Sequence, residues 1–415
     1  MAEVEIPSYF LCPISLEIMR DPVTLPTGIT FDRHSIERWI AARKPGAAAP
    51  TCPVTKQPLP TLDLTPNHTV RSLIKSWCTA NATLGVEPIR SPRPPVDAAH
   101  VTHLLDAACS PVSRIAALRQ LREIVNESDA NRRCVESSSS AVEFLTAVVT
   151  ESDRSGDERD EALAVLCSLV QSSERLPPLG NLVLKCSVFL ESLFSALGSL
   201  RNQSRAHAAI LLRAVVSSAS PTKLLCIKEA HLQEVVNVVR DRLSSQATRA
   251  GLHVLLVVST CGRNRLKAVR AGAVRLLVEI LLEEGDKRTA EMALALLDKL
   301  CRCAEGRAEL VGHAAGVAVV SKKVLRVSPV GSERAMRVLE KLCRFSATAA
   351  LLQEMVEVGA VSKICLVLQV ECGDKAKEKA REMLKMHAGA WRNSRCLSPQ
   401  FLVSYPAHAT PHSRR

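Results

Sequence analysis

The sequence predicts a mainly α protein in which a small α+β module precedes a long solenoid of stacked helices. Three observations carry this. Aromatic residues make up only 3% of a chain that is 47% apolar and rich in Ala, Leu and Val, a composition suited to close helix packing more than to sandwiches or barrels. Behind residue 97, apolar residues at helical spacing run almost to the end and repeat at intervals in the low forties. Ahead of it, short β-branched segments are broken by Pro, Thr and Gly. At 415 residues the chain exceeds one compact core of ordinary size, so several domains or an extended array are expected.

The first module covers residues 6–80. It reads as a loop, a short strand over Val23 to Leu25, a tight turn at Thr27-Gly28, a second strand over Ile29 to Phe31 and a helix from Asp32 to about Ala42. A second loop and a closing helix follow. Asp32 and Asn67 are the residue types that cap helices. The closing helix has Val70, Leu73, Ile74 and Trp77 at the spacing of one buried face. Two cross-braced zinc sites would need about eight Cys or His ligands in close pairs. Residues 6–78 offer Cys12, Cys52, Cys78, His34 and His68 with no CxxC, so no metal and no cofactor are expected. Ser15, Glu17, Arg20, Asp21, Asp32 and Arg33 are the candidates to hold the loops instead.

Residues 81–97 form a Pro-rich spacer around EPIRSPRPP, which lacks donors for helix or sheet. From 98 to 388 a signature of small residues, often with Gly, followed by an aliphatic run recurs about six times. Its equivalent residues are Val142, Leu190, Leu232, Val274, Val317 and Val361, spaced by 48, 42, 42, 43 and 44 residues, with the charged insertion ESDRSGDERD inside the long first interval. Partner helices such as RAHAAILLRAVV and TAEMALALLDKLC lie between. A helical period in the low forties marks an armadillo or HEAT-type solenoid, in which stacking buries a stripe no unit could bury alone and leaves a concave binding surface. Gly272, within Ala271-Gly272-Ala273, supplies the tight turn before one helix of the stack. Residues 389–415 form a tail.

The basic excess belongs to the long part behind the first module: residues 1–78 hold eight Lys or Arg against seven Asp or Glu, leaving 46 against 35 for the rest. With so few aromatics to stack on bases, protein partners are expected and nucleic acid is not. No apolar stretch approaches the length of a membrane span. The fifteen scattered cysteines and the start MAEVEIPSYF suggest a reducing compartment, and the expected location is the cytoplasm, with the nucleus as a second site.

The segments CPISLEIMRDPVTLPTGITFDR and CPVTKQPL followed by PNHTVR resemble the U-box, the zinc-free relative of the RING finger. With the array behind it, the chain resembles the plant U-box/armadillo class of ubiquitin-protein ligases, and the ending HAGAWRNSRC is similar to that of a stress- and defence-related branch. The resemblance implies a RING-type ubiquitin transferase that forms no covalent intermediate of its own. It implies docking of a charged ubiquitin-conjugating enzyme by Ile14, Trp39 and Pro53, with Cys12 and Cys52 supporting the loops. Lys56 falls where related domains place a basic residue that orients ubiquitin. Read from the residues alone, the alternatives are that Ile14 and Trp39 are core, Pro53 turn chemistry and Lys56 a solvated lysine. The partners implied are the conjugating enzyme, ubiquitin and substrates held by the array; a homo-oligomer is compatible with this. Armadillo proteins that carry import cargo use a Trp and Asn ladder, whereas those positions here hold Arg119 and Glu123, Ala295 and Lys299, and Arg337 and Lys341. Arg119, Lys299, Arg337 and Lys341 are therefore the candidates to line a basic substrate groove. A pure scaffold and a nucleic-acid-binding solenoid are the alternatives.

Overall fold

The structure, a computed structural model, describes residues 6–41, 51–81, 96–151, 156–172, 187–283 and 285–391. Its contacts divide it into two compact units, Met1–Val96 and Asp97–Arg415. Most of the spacer (82–95), the loop after the first long helix (42–50) and most of the tail (392–415) lie outside the described residues.

In the first unit, β1 (Pro22–Thr24) and β2 (Thr30–Asp32) pair antiparallel with Val23 opposite Phe31, both fully buried. Both strands sit one residue outside the predicted spans because Leu25 and Ile29 close the turn: the Leu25 amide donates to the Ile29 carbonyl at 3.0 Å, and Gly28 takes φ 79°. A two-residue strand, β3 (Thr65–Pro66), adds to the other edge of β1. It was not predicted, being too short to show a period. The long helix α1 (Arg33–Ala41) buries Ile36.

The closing helix α2 (His68–Ala80) is capped by Asn67, whose Oδ1 accepts from the Val70 amide at 3.0 Å. Its Nδ2 donates to Thr24 and Thr30 Oγ1, both at 3.3 Å, tying the helix start to the sheet. The buried face of α2 differs from expectation. Ile74 and Cys78 are buried and Trp77 meets Phe10 edge-on at 5.9 Å, while Leu73 is half exposed. Leu73 sits about 100° around the helix from Ile74, on the solvent side.

The second unit is a ladder of short, second and third helices. The third helices, Arg114–Glu127, Gly156–Ser172, Asn202–Ser218, Ser245–Val258, Lys287–Leu300, Pro329–Phe345 and Asp374–Met386, each touch the next. The second helices make a matching row, Ala98–Cys109, Ser139–Thr150, Ser187–Leu197, Glu229–Asp241, Ala273–Leu282, Gly316–Lys323 and Ala360–Gln369. Short first helices such as Gly262–Arg270 and Ala304–Gly312 bridge successive units. Among the described residues seven units stand where about six were expected. The extra one is the first: Ala98–Cys109 follows the spacer directly and lacks the leading signature by which the other copies are recognised.

Within each unit the period does what it must. Ala273–Leu282 buries Ala273, Val274, Leu276, Leu277, Val278, Ile280 and Leu281, and five of the six signature residues are fully or almost fully buried. Leu190 is only half-buried, because Phe189 beside it fills that part of the core. Ser244, Asp286 and Ser328 cap three successive third helices, each accepting the amide three residues on. Gly272 and Gly359 take positive φ before the second helices. In the unit between them that position is Ala315, and at Gly316, one residue on, the demand is space, since a Cβ there would run into the Leu310 carbonyl.

The end of the array also moves. Trp391 was assigned to the tail, yet it is fully buried and its Nε1 donates to the Leu352 carbonyl at 3.1 Å. His387 Nε2 lies 2.9 Å from the Cys343 carbonyl. Residues 388–391 therefore close the last unit.

Candidate functional site

Two loops of the first unit share one conformation. In Cys12-Pro13-Ile14-Ser15-Leu16-Glu17, the Cys12 amide donates to the Glu17 carbonyl at 2.9 Å and the Leu16 amide to the Cys12 carbonyl at 2.8 Å. In Cys52-Pro53-Val54-Thr55-Lys56-Gln57, the Cys52 amide donates to Gln57 at 2.8 Å and the Lys56 amide to Cys52 at 2.9 Å. The fifth residue of each loop is left-handed, Leu16 with φ 60° and Lys56 with φ 59°. Isolated bridges, Leu11 with Ile18 and Thr51 with Pro58, close the bases.

A buried sulfur organises each loop. Cys12 Sγ accepts from the Asp32 amide at 3.3 Å, which ties the first loop to β2. Burial pushes both thiols up, but donors converging on the sulfurs outweigh it. The amides of Ser15, Asp32 and Ile14 hold Cys12 below the ordinary thiol value. The hydroxyls of Thr27 and Thr55, with the amides of Thr55 and Val54, bring Cys52 to about 7. Neither sulfur is accessible, so they act as hydrogen-bond acceptors and not as nucleophiles. Among the described residues no three His, Cys, Asp or Glu side chains come together as a metal site.

Asp21 and Asp32 supply the rest of the frame. Asp32 Oδ1 accepts from the amides of Arg20 at 2.8 Å and Asp21 at 3.0 Å, so this carboxylate braces the first loop from the end of β2. Asp21 is held from both sides, by Arg33 Nε at 2.7 Å and by Arg71 of α2. Arg71 and Asn67 were missed as loop-holding groups because they lie some forty residues or more from their partners, beyond the reach of any local pattern.

On this frame the candidate docking residues divide by exposure. Trp39 is 43% exposed, while Ile36 beneath it on α1 is buried. The Lys56 ammonium stands 5.9 Å from the Trp39 ring centre, a cation–π contact that joins the second loop to α1. Ile14 and Pro53 are half-buried, and Ile14 also packs on the core. Leu16 and Val54 are exposed apolar tips of the two loops that residue-by-residue reading passed over. The signal was present: CPISLE and CPVTKQ share Cys-Pro, then an aliphatic and a hydroxyl residue, so a residue of interest in one loop nominates its counterpart in the other.

The four groove candidates all lie on third helices, but they face different surroundings. Lys341 is engaged by Asp298, a fully buried carboxylate on the preceding third helix. Arg334 at 3.3 Å and Arg337 at 3.9 Å share that carboxylate, and Arg337 also pairs with Glu333. Lys299 donates to the Leu256 carbonyl at 3.0 Å. Lys341 and Lys299 thus lace one unit to its neighbour. Arg119 stays well exposed, 3.4 Å from Glu161.

Two loops knitted around buried sulfurs and ion pairs, ahead of a ladder of three-helix units, are the architecture of a RING-type ubiquitin transferase of the U-box kind with an armadillo array. Two family models match accordingly, the U-box domain over residues 6–83 and the plant U-box protein ARM repeat region over 100–407. The chain belongs to the plant U-box family with armadillo repeats. It is 47% identical over 408 residues to the E3 ubiquitin-protein ligase PUB23 of Arabidopsis thaliana, covering 97% of this chain and 98% of that one. It is 43% identical to PUB22 of the same plant, covering 98% and 99%. A solved structure from work on a phosphorylation switch in the interaction of cadherin and beta-catenin superposes with TM-score 0.60 at 14% identity, covering 77% of this chain and 58% of that chain, a likeness of fold.

Proposed function

We propose that the first unit docks a ubiquitin-charged conjugating enzyme on Ile14, Trp39 and Pro53, and that the array holds the substrate whose lysines receive ubiquitin. The observation that carries this is Trp39, a large aromatic left 43% exposed on a helix whose buried side is already filled by Ile36. An exposed aromatic beside a loop lysine is the composition of an interface hot spot, and a scaffold with no such partner gains nothing from it. The unit acts by proximity: it restricts the conjugating enzyme's thioester near a substrate lysine and carries no nucleophile itself. Lys56, held over Trp39, is the candidate to orient ubiquitin, as a point charge without the planar fork of an arginine.

The ending HAGAWRNSRC, with its resemblance to a stress- and defence-related branch, supports a role in plant stress and defence signalling, acting in the cytoplasm and secondarily in the nucleus. The test is self-ubiquitination with purified activating and conjugating enzymes. Trp39→Ala is expected to lose transfer, through a deficit of ~2 kcal/mol or more in docking, while its melting temperature stays near wild type. A Trp39→Ala protein that is folded and fully active would remove the residue from the site.

A further inference from the structure

Lysine and arginine are divided unevenly along the chain. Residues 76–222, which take in the spacer and the first three repeats of the array, hold thirteen Arg and one Lys, Lys185, which lies outside the described residues. From Lys223, in the first helix of the fourth repeat, to Trp391 there are thirteen Lys beside fifteen Arg. Ahead of the spacer stand Lys44, Lys56 and Lys75.

The fold accounts for only some of these arginines. Arg114 donates to the carbonyls of Ala108 and Cys109, Arg205 to the Leu197 carbonyl and to Asp241, and Arg201 meets both Asp157 and Asp160. Such tasks suit a planar fork with several donors. Arg119, by contrast, stays 59% exposed at 3.4 Å from Glu161, and Arg133 is exposed. A lysine would serve at either place, and in the later repeats lysine does serve. Lys379 pairs with Glu340 at 3.0 Å, Lys299 donates to the Leu256 carbonyl at 3.0 Å and Lys323 to the Glu283 carbonyl at 3.3 Å. Lys228, Lys287, Lys322, Lys375 and Lys385 stand exposed there.

Ubiquitin transfer needs a neutral amine. The lysine nitrogen's lone pair attacks the thioester carbonyl of the charged conjugating enzyme, and the new C–N bond replaces the C–S bond. The thiolate leaves with the electron pair and the amine's proton passes to water. A guanidinium keeps its proton: at pH ~7.4 about one lysine in 10³ is neutral, against at most about one arginine in 10⁵. A ligase that acts by proximity modifies the lysines its tether holds at the highest effective concentration, and the first three repeats are the ones that follow the spacer directly. We propose that residues 76–222 form a zone poor in acceptors, where arginine supplies the positive charge and withholds the amine, so that ubiquitin goes to the substrate and to lysines from Lys223 onward. This rests on the first unit transferring ubiquitin by proximity and adds where on the chain itself that transfer falls. Lys185 is the one acceptor left inside the zone.

The test is self-ubiquitination of the full-length protein with purified activating and conjugating enzymes, the modified lysines being mapped by mass spectrometry. Three charge-conserving variants each add one exposed lysine. Arg133→Lys and Arg201→Lys lie inside the zone, and Arg275→Lys lies in the fifth repeat; the side chains of Arg201 and Arg275 are 58% and 73% exposed. The new site is expected to carry at least about threefold more ubiquitin in Arg133→Lys and Arg201→Lys than in Arg275→Lys. All three should melt as wild type and discharge the charged conjugating enzyme onto free lysine at the wild-type rate. Equal modification of the three new sites, or none at positions 133 and 201 in folded protein, would overturn the proposal. Discharge onto free lysine by the wild-type chain reports separately on the ligase reading, so the site map can fail while that reading stands. A chain that discharges nothing overturns both.

Discussion

Cysteine does opposite work in the two units. In the loops of the first unit, Cys12 and Cys52 sit among converging amides and hydroxyls that lower their thiol values. In the array, Cys301 and Cys343 are pushed up to about 12 and Cys365 to about 11 by burial. The first pair are polar acceptors that give small loops a centre, and the others are apolar fillers of a helical core. The difference extends to the surroundings. The first unit has a small core around Val23, Phe31 and Ile36 and relies on Asp21, Asp32 and Asn67 to fix its loops. The array spreads its stability over many aliphatic contacts between neighbouring units.

The largest effect that would sharpen this contrast is expected at the end of the array. Trp391→Ala removes a fully buried indole and its bond to Leu352, at a cost of ~3 to 5 kcal/mol. The damage should stay local. Hydrogen exchange is expected to quicken in Ala360–Gln369 and Asp374–Met386 and to be unchanged in Arg114–Glu127. If every array helix loosens equally, the array is one cooperative block and the contrast with the first unit is broken.

A smaller substitution should do wider harm in the first unit. Asp21→Ala strips the shared partner from Arg33 and Arg71, whose side chains are 33% and 23% exposed. Partial solvation keeps the loss below that of a fully buried pair, at roughly 2 to 3 kcal/mol. A module this small has little stability to spare, so scanning calorimetry of the full chain should show its transition lost or strongly lowered while the array's stays in place. An unchanged first transition would mean the aliphatic core alone suffices.

The smallest effect separates the two kinds of sulfur by pH. A thiol lowered in the folded state, as Cys52 is from 9.0 to about 7, adds stability that is complete above the unfolded value and lost as pH falls through about 7. A thiol raised in the folded state, as Cys301 is from 9.0 to about 12, adds stability that is complete below the unfolded value and lost as pH climbs from there through its folded value. From neutral pH to about 9 the first unit should therefore melt progressively higher and the array should not; above about 9 the array should decline. Parallel pH profiles for the two transitions would count against opposite roles for the two sets of cysteines.

By itself the sequence determined the helical array, because a repeat in the low forties and a 3.6-residue apolar period are local patterns that burial must obey. It also determined which residue types make the loops of the first unit and that Asn67 would start α2. The tertiary structure decided what depends on distant partners. Asp32, directly ahead of α1, also reaches back to brace a loop, Leu73 faces water, and Arg71 comes to Asp21 from fifty residues away. It decided as well that Lys299 and Lys341 are tied to neighbouring units, while the Arg213 side chain is left without an ion-pair partner among the described residues. The physical reason is common to all of these. A hydrogen bond or ion pair is short-ranged and indifferent to sequence separation, so which charge is matched and which is left over is settled only when the units stack.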